Sequence, residues 1–180
     1  MNEDIKFLSI NVAVVTISDT RTSENDKSGD VLEKRIKQAG HIVLAREIVQ
    51  DEFKQISSLF SNLIKDKKID VIISTGGTGL TGRDITPEVM ETLFEKSIDG
   101  FGEMFRWMSY KKIGTSALQS RALAGVTNGT YIFCLPGSPS ACRDGWDDIL
   151  VHQLDIRHKP CNFVEIMPRL QEHKYYRTKN

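Results

Sequence analysis

The stretch Val71-Ile-Ile-Ser-Thr-Gly-Gly-Thr-Gly79 constrains this chain more than any other. An apolar β-branched run passes directly into small residues, as a strand buried on both faces does when its end must lie close to something else. The same type of run, INVAVVTI, occupies Ile10 to Ile17 and predicts a second buried strand. Between and after them the apolar spacing changes. Val31, Leu32, Ile36 and Ala39 recur at helical intervals from about Ser28 to Gly40, with Gly40 at a C-cap position. Ile56, Leu59, Phe60, Leu63 and Ile64 do the same between Glu52 and Lys67.

His41 to Val49 reads as the strand between those helices, and Ser18 to Lys27 as a polar loop. Thr86-Pro87-Glu88 predicts a helix start, with Thr as N-cap, Pro at the first position and Glu against the helix dipole; this helix is expected to run to about Lys96. Phe101 to Tyr110 reads as a further helix. Arg121 to Thr127 and Thr130 to Leu135 read as strands joined by Asn128-Gly129, a strong hairpin signal. Pro136-Gly137 ends the last strand, and Ser138 to about Arg157 reads as the closing helix. Alternation of this kind predicts an α/β protein: a three-layer α/β/α sandwich with a mostly parallel central sheet plus an antiparallel edge hairpin. One domain over residues 1–180 is expected, with 1–9 and 168–180 as terminal extensions.

Charge narrows the function classes. Lys plus Arg number 24 and Asp plus Glu number 24, so no net field draws the chain to nucleic acid, and no Lys/Arg run exceeds two residues. No nucleic-acid partner is expected. Residues 1–9 hold Glu3, Asp4 and Lys6 without a sustained apolar region, unlike a signal peptide. No apolar run approaches the roughly 20 residues that span a bilayer. A cytoplasmic protein without membrane association is expected, in keeping with three cysteines, Cys134, Cys142 and Cys161, that lack metal-type spacing. Cys134 and Cys142 read as small core residues, and His41, His152, His158 and His173 as packing or surface residues.

Ligands of parallel sheets bind beyond the carboxyl ends of strands, where the glycine loop stands. Glycines let successive N–H groups approach anionic oxygens, and the helix expected at Thr86 adds a positive end. Gly77-x-Gly79-x-x-Gly82 formally matches the dinucleotide fingerprint, but polar loop continues through Arg83, Asp84 and Ile85 where a helix should begin, and no acidic strand end follows. A nicotinamide-dependent oxidoreductase is therefore disfavoured. The P-loop pattern fails because Arg83-Asp84 follows Gly82 in place of Lys and Ser or Thr. A tight turn without ligand is the plain alternative.

Mg²⁺ prefers oxygen ligands and usually joins one or two carboxylates to substrate phosphates. Asp84 lies in the glycine loop and Asp51 follows the second strand; if the second and third strands are parallel neighbours, both emerge at one edge. Taken singly, either Asp also fits a turn or cap role. Asp70 precedes its strand and is expected at the opposite end, in a structural role. Met104, Phe105, Trp107 and Met108 exceed what one amphipathic stripe buries and point to an interface between copies, with plain core and a cofactor contact as the alternatives.

Together, Ser18-Asp19, Asp26-x-Ser28-Gly29, Thr75-Gly-Gly-Thr-Gly79, Arg83-Asp84-x-Thr86-Pro87-Glu88, Gly100-Phe-Gly-Glu-Met-Phe-Arg106, Ile113-Gly-Thr-Ser-Ala-Leu-Gln-Ser-Arg121 and Pro136-Gly-Ser-Pro139 resemble the MoaB/MogA family of molybdopterin-binding proteins, its MoaB branch in particular. The resemblance extends from about residue 10 to residue 163. It implies molybdenum cofactor biosynthesis: adenylylation of molybdopterin by Mg-ATP, with release of pyrophosphate. It assigns the Mg²⁺ and the triphosphate to Asp51 and Asp84, and the nucleotide and phosphate region to Thr78, Ser120 and Arg121. The pocket and its pterin side fall to Asp26, Ser28, Gly29, Gly137 and Ser138, and the same motifs add Ser18, Gly76, Gly77, Gly79, Glu88 and Pro136 as binding residues. It further implies homotrimers or hexamers, with other molybdenum-cofactor proteins as possible partners. A molybdopterin carrier or regulatory paralogue with weak turnover is the alternative function.

Overall fold

The computed structural model describes residues 4–176; residues 1–3 and 177–180, parts of the expected terminal extensions, lie outside the described residues. Strands β1 (Asn11–Ile17), β2 (Ile42–Val49), β3 (Val71–Thr75), β4 (Lys96–Ser97), β5 (Leu123–Thr127) and β6 (Thr130–Leu135) form one open sheet in the order β2-β1-β3-β6-β5-β4. The β2–β1, β1–β3 and β3–β6 pairings are parallel, and β6–β5 and β5–β4 are antiparallel.

Helices cover both faces because the central strands are apolar on both. Val12 and Val14 face one core with Leu32 and Ile36 of α1 (Lys27–Gln38), Phe101 and Phe105 of α4 (Asp99–Ile113) and Cys142 of α5 (Pro139–Gly145). Ala13 and Val15 face the other core with Ile56 and Phe60 of α2 (Phe53–Lys65) and Val89 and Met90 of α3 (Thr86–Leu93). Each large apolar side chain buried in these layers contributes about 1.5–3 kcal/mol. Trp146 closes the first core from a π-helical turn, Trp146–Leu150, that continues α5 into α6 (Val151–Gln153). The three-layer sandwich with a mostly parallel sheet and an antiparallel edge is the architecture read from the sequence.

Local signals act as their chemistry requires. Gly40 has φ +91° immediately beyond the C-cap of α1, and Asn128 (φ +50°) and Gly129 (φ +85°) make the β5–β6 turn. Asp70 accepts the Asn11 backbone N–H at 2.7 Å, at the amino ends of β1 and β3. Cys134 and Cys142 are buried, and burial raises both thiols, Cys134 to about 12 and Cys142 to about 11. His41 is buried between Phe7 and Trp146, and burial lowers its pKa.

Four details differ from the sequence reading. The second and third strands are not neighbours: β1 lies between them, though their carboxyl ends still share one edge. Helix α3 stops at Leu93, so that Lys96 and Ser97 pair with Val126 and Gly125 as β4. Thr86 is inside α3 rather than its cap: its hydroxyl donates to the Gly76 carbonyl at 3.0 Å and fixes the helix to the glycine loop. The closing helix ends at Gln153 rather than near Arg157.

Candidate functional site

Chain connections leave β1 in opposite directions, to β2 on one side and eventually to β3 on the other, which creates a switch point at their carboxyl ends. A cleft of about 510 Å³ opens there. Thr16 and Ile17 of β1, Thr75 and the loop Gly76–Gly79 after β3, and Pro136-Gly137-Ser138 after β6 form its walls.

The loop needs its glycines. Gly76 has φ +107°, and a Cβ there would stand 2.1 Å from the Ile17 carbonyl oxygen. Gly77 has φ +62°, and a Cβ there would stand 2.3 Å from Thr86 Oγ1 and 2.6 Å from Asp51 Oδ1. Hydrogen bonds hold the backbone where glycine allows it to pass: Gly76 N–H donates to Leu135 O at 3.0 Å, and Thr86 N–H to Gly77 O at 3.0 Å. Thr75 Oγ1 donates to Pro136 O at 2.9 Å, and Ser28 Oγ to Gly137 O at 2.8 Å, joining α1, β3 and the loop after β6 at one wall.

Asp51 and Asp84 both line this cleft but stand in different states. Asp51 is 9% exposed, and its Oδ1 is buried without a hydrogen-bond partner. Burial, with the negative charges of Asp19 and Asp84 adding to it, pushes its pKa up to about 6. Asp84 is engaged: its Oδ2 accepts from Thr81 N–H at 2.8 Å and Thr81 Oγ1 at 2.7 Å. Burial pulls its pKa upward, but these bonds, a backbone bond from Gly79 and the charge of Arg121 outweigh that and hold it below the ordinary value. Asp19 accepts the Asp51 backbone N–H and a two-point bond from Arg83, whose Nη1 reaches Glu52; the Arg83 bond holds Asp19 low.

An orphaned, buried carboxylate oxygen among other acidic groups fits a divalent cation. Among the described residues no group of three or more His, Cys, Asp or Glu could hold a metal alone. Mg²⁺ commonly takes water and substrate phosphates alongside one or two carboxylates.

The remaining predicted residues divide between the cleft and its supports. Ser18, Ser28, Gly76, Gly77, Thr78, Gly79, Ser120, Pro136, Gly137 and Ser138 line the cleft; Asp26, Gly29, Glu88 and Arg121 do not. Asp26 is fully buried, accepts from Thr16 Oγ1 at 2.8 Å, Gly29 N–H at 3.0 Å and Arg46 Nη2 at 3.0 Å, and so fixes the start of α1. Arg121 clamps the glycine loop, with Nε on Gly79 O at 2.7 Å, Nη2 on Asp84 O at 2.8 Å and Nη1 on Glu88. Thr16, Ile17, Thr20, Arg21, Thr75 and Gln119 also line the cleft and were not named as binding residues from the sequence. Most follow or end a parallel strand, and that position alone was signal enough to flag them. A second cavity of about 490 Å³ adjoins the first, sharing Gln119, Ser120, Pro136 and Ser138 and adding Phe105, Ile113 and Ala141.

On α4, Phe105 belongs to the core and Met108 packs against it, while Met104 and Trp107 are exposed, Trp107 at 62%. Tyr110, Ile113 and Leu118 extend this outward apolar face. No helix among the described residues is long and apolar enough to cross a membrane.

Comparison with known proteins agrees with this geometry. A family model described as a probable molybdopterin binding domain matches residues 13–156. The chain is 45% identical over 158 residues to molybdenum cofactor biosynthesis protein B of Escherichia coli (strain K12), covering 88% of this chain and 93% of that protein. It is 43% identical over 142 residues to the protein of the same name from Bacillus cereus, covering 78% of this chain and 84% of the relative. A crystal structure of molybdenum cofactor biosynthesis protein B superposes with a TM-score of 0.77 at 36% identity, covering 96% of this chain and 98% of the other. The chain belongs to the MoaB/MogA family of molybdopterin-binding domains, a family of molybdenum cofactor biosynthesis.

Proposed function

We propose that this chain adenylylates molybdopterin with Mg-ATP. The observation that carries the reading is the unpartnered Asp51 Oδ1, buried beside the glycine loop at the switch point of the sheet. Such an oxygen is suited to a cation, and the glycine loop to anionic oxygens. Asp51 would hold Mg²⁺, with Asp84 in support on the same cleft wall. When bound, the ion neutralises charge on the phosphate oxygens as it builds up. The loop Gly76–Gly79 presents its backbone to the phosphate chain, and Arg121 and Thr86 keep that backbone fixed from behind. We place the phosphates in the polar cleft and the flat pterin in the adjoining cavity, where Phe105, Ile113 and Ala141 offer apolar contact.

A terminal phosphate oxygen of the pterin attacks the α-phosphorus of ATP. The new P–O bond gives the AMP-pterin, and the bond to the β-phosphate breaks with release of pyrophosphate. The attacking phosphate is ionised at neutral pH, so the protein needs no general base; it aligns two anions and offsets their charge. Incubation with molybdopterin, ATP and Mg²⁺ is expected to yield AMP-pterin and pyrophosphate in equal amounts. No product, with pterin still bound, would replace this reading with a carrier that binds without turnover.

The outward face of Met104, Trp107, Tyr110 and Leu118 is read as the contact between copies in a trimer or hexamer. Light scattering is expected to give a multiple of the 20.3 kDa chain. A monomer at working concentration would contradict it.

A further inference from the structure

Three arginines surround the cleft, and two of them are engaged away from it. Arg121 directs Nε, Nη1 and Nη2 to Gly79 O, Glu88 and Asp84 O. Arg83 directs Nε and Nη2 to Asp19 and Nη1 to Glu52. Neither lines the cavity. Arg21 does line it, and among the described residues it is the one cation that does; the other charged residues there are Asp51 and Asp84. Among the described residues its guanidinium has one hydrogen-bond partner, with Nη1 donating to Asn25 O at 2.8 Å.

The loop that carries Arg21 is built to present it. Ser18 Oγ accepts the backbone N–H of Thr20 at 3.2 Å and of Arg21 at 3.3 Å, closing the turn that follows β1. Asn25 Oδ1 accepts Thr22 N–H at 2.9 Å, and Asn25 O accepts from Arg21 Nη1, so the loop holds both the Arg21 backbone and one nitrogen of its guanidinium. Nε and Nη2 stay available as a fork, the arrangement that recognises two oxygens of one phosphate.

We propose that Arg21 is the anion-binding side chain of the cleft and takes a phosphate group of the bound organic phosphate through its Nε and Nη2. The inference rests on the reading of the cleft as a site for ATP and molybdopterin. It does not depend on turnover. Either substrate could supply the phosphate, and separate binding measurements tell them apart: Mg-ATP without pterin, and molybdopterin without ATP, each by calorimetry with the full chain.

Arg21→Gln is expected to weaken one of the two ligands by between about tenfold and a hundredfold, and the ligand affected names the phosphate held. Arg21→Lys is expected to recover part of the loss, because the charge returns without the fork. The affected ligand should also show a shallower salt dependence in Arg21→Gln. If a folded Arg21→Gln, verified by circular dichroism, binds both ligands within about twofold of the unsubstituted protein, the proposal is overturned while the adenylylation reading stands. If Arg21→Gln loses binding but the unsubstituted protein makes no AMP-pterin, the adenylylation reading fails and the role of Arg21 stands.

Discussion

Asp51→Asn is expected to cost at least about a hundredfold in magnesium-dependent turnover while making the ligand-free protein more stable at neutral pH. Both effects come from one oxygen. In the free protein the Asp51 carboxyl is buried, its Oδ1 has no hydrogen-bond partner, and it faces the charges of Asp19 and Asp84, so its pKa rises from 3.8 to about 6. Between those two values the folded state binds more protons at this group than the unfolded chain does. Stability from this group therefore falls as pH rises from about 4 to about 6, and the deficit remains above that. After allowance for solvent screening the deficit is roughly 1–2 kcal/mol. Urea melts from pH 4 to pH 8 should show Asp51→Asn drawing ahead of the unsubstituted protein through that window and holding its lead above it. Parallel curves would show that the carboxylate is not strained. The same substitution removes the charge that a cation requires, so stability and turnover should move in opposite directions, as expected of a group kept for function.

Gly76→Ala is expected to be the most damaging single methyl group in the loop. The added Cβ would stand 2.1 Å from the Ile17 carbonyl oxygen, at φ +107°. The obstacle is backbone at the carboxyl end of β1, with no flexible side-chain end to move aside. Strain and overpacking together amount to roughly 2–6 kcal/mol, or a fall in Tm of roughly 5–20 °C for a chain of this size. Gly100→Ala is the contrast: a Cβ there meets nothing within 4 Å, and the site is helical with no positive φ. That substitution should be neutral or slightly stabilising. Equal melting temperatures for the two variants would show that the backbone at Gly76 tolerates a side chain.

The loop was legible because two sequence signals coincide in it, a β-branched run and glycines that follow at once. The parallel core was legible for a similar reason, since Ile10 to Ile17 and Val71 to Ser74 have no polar face to turn outward. Strand order was not legible. Periodicity reports which faces are buried but not which strands adjoin, so nothing local showed that β1 separates β2 from β3. β4 consists of two exposed polar residues, Lys96 and Ser97, and is defined by its partners Val126 and Gly125. Met104 to Met108 read as one apolar block, and only helix phase against the sheet separates buried Phe105 from exposed Trp107.

Arginines were the hardest to assign, because the role of a guanidinium depends on acceptors distant in sequence. The Arg121 side chain finds Gly79 and Asp84 across 42 and 37 residues and becomes a clamp. Among the described residues Arg21 bonds Asn25, four positions away, and its side chain lines the cleft. Asp84 was legible as a loop acid, but its bonds to Thr81 depend on the turn between them.

On the function proposed above, Asp51 holds a divalent cation against a nucleotide's phosphates. The most direct test is a crystal of the full chain with Mn²⁺ and a non-hydrolysable ATP analogue, read by anomalous scattering. A manganese peak is expected at direct coordination distance, about 2.0–2.3 Å, from Asp51 Oδ1 and in contact with a phosphate oxygen. Nucleotide bound in the cleft with no metal at Asp51, or with metal held elsewhere, would contradict it.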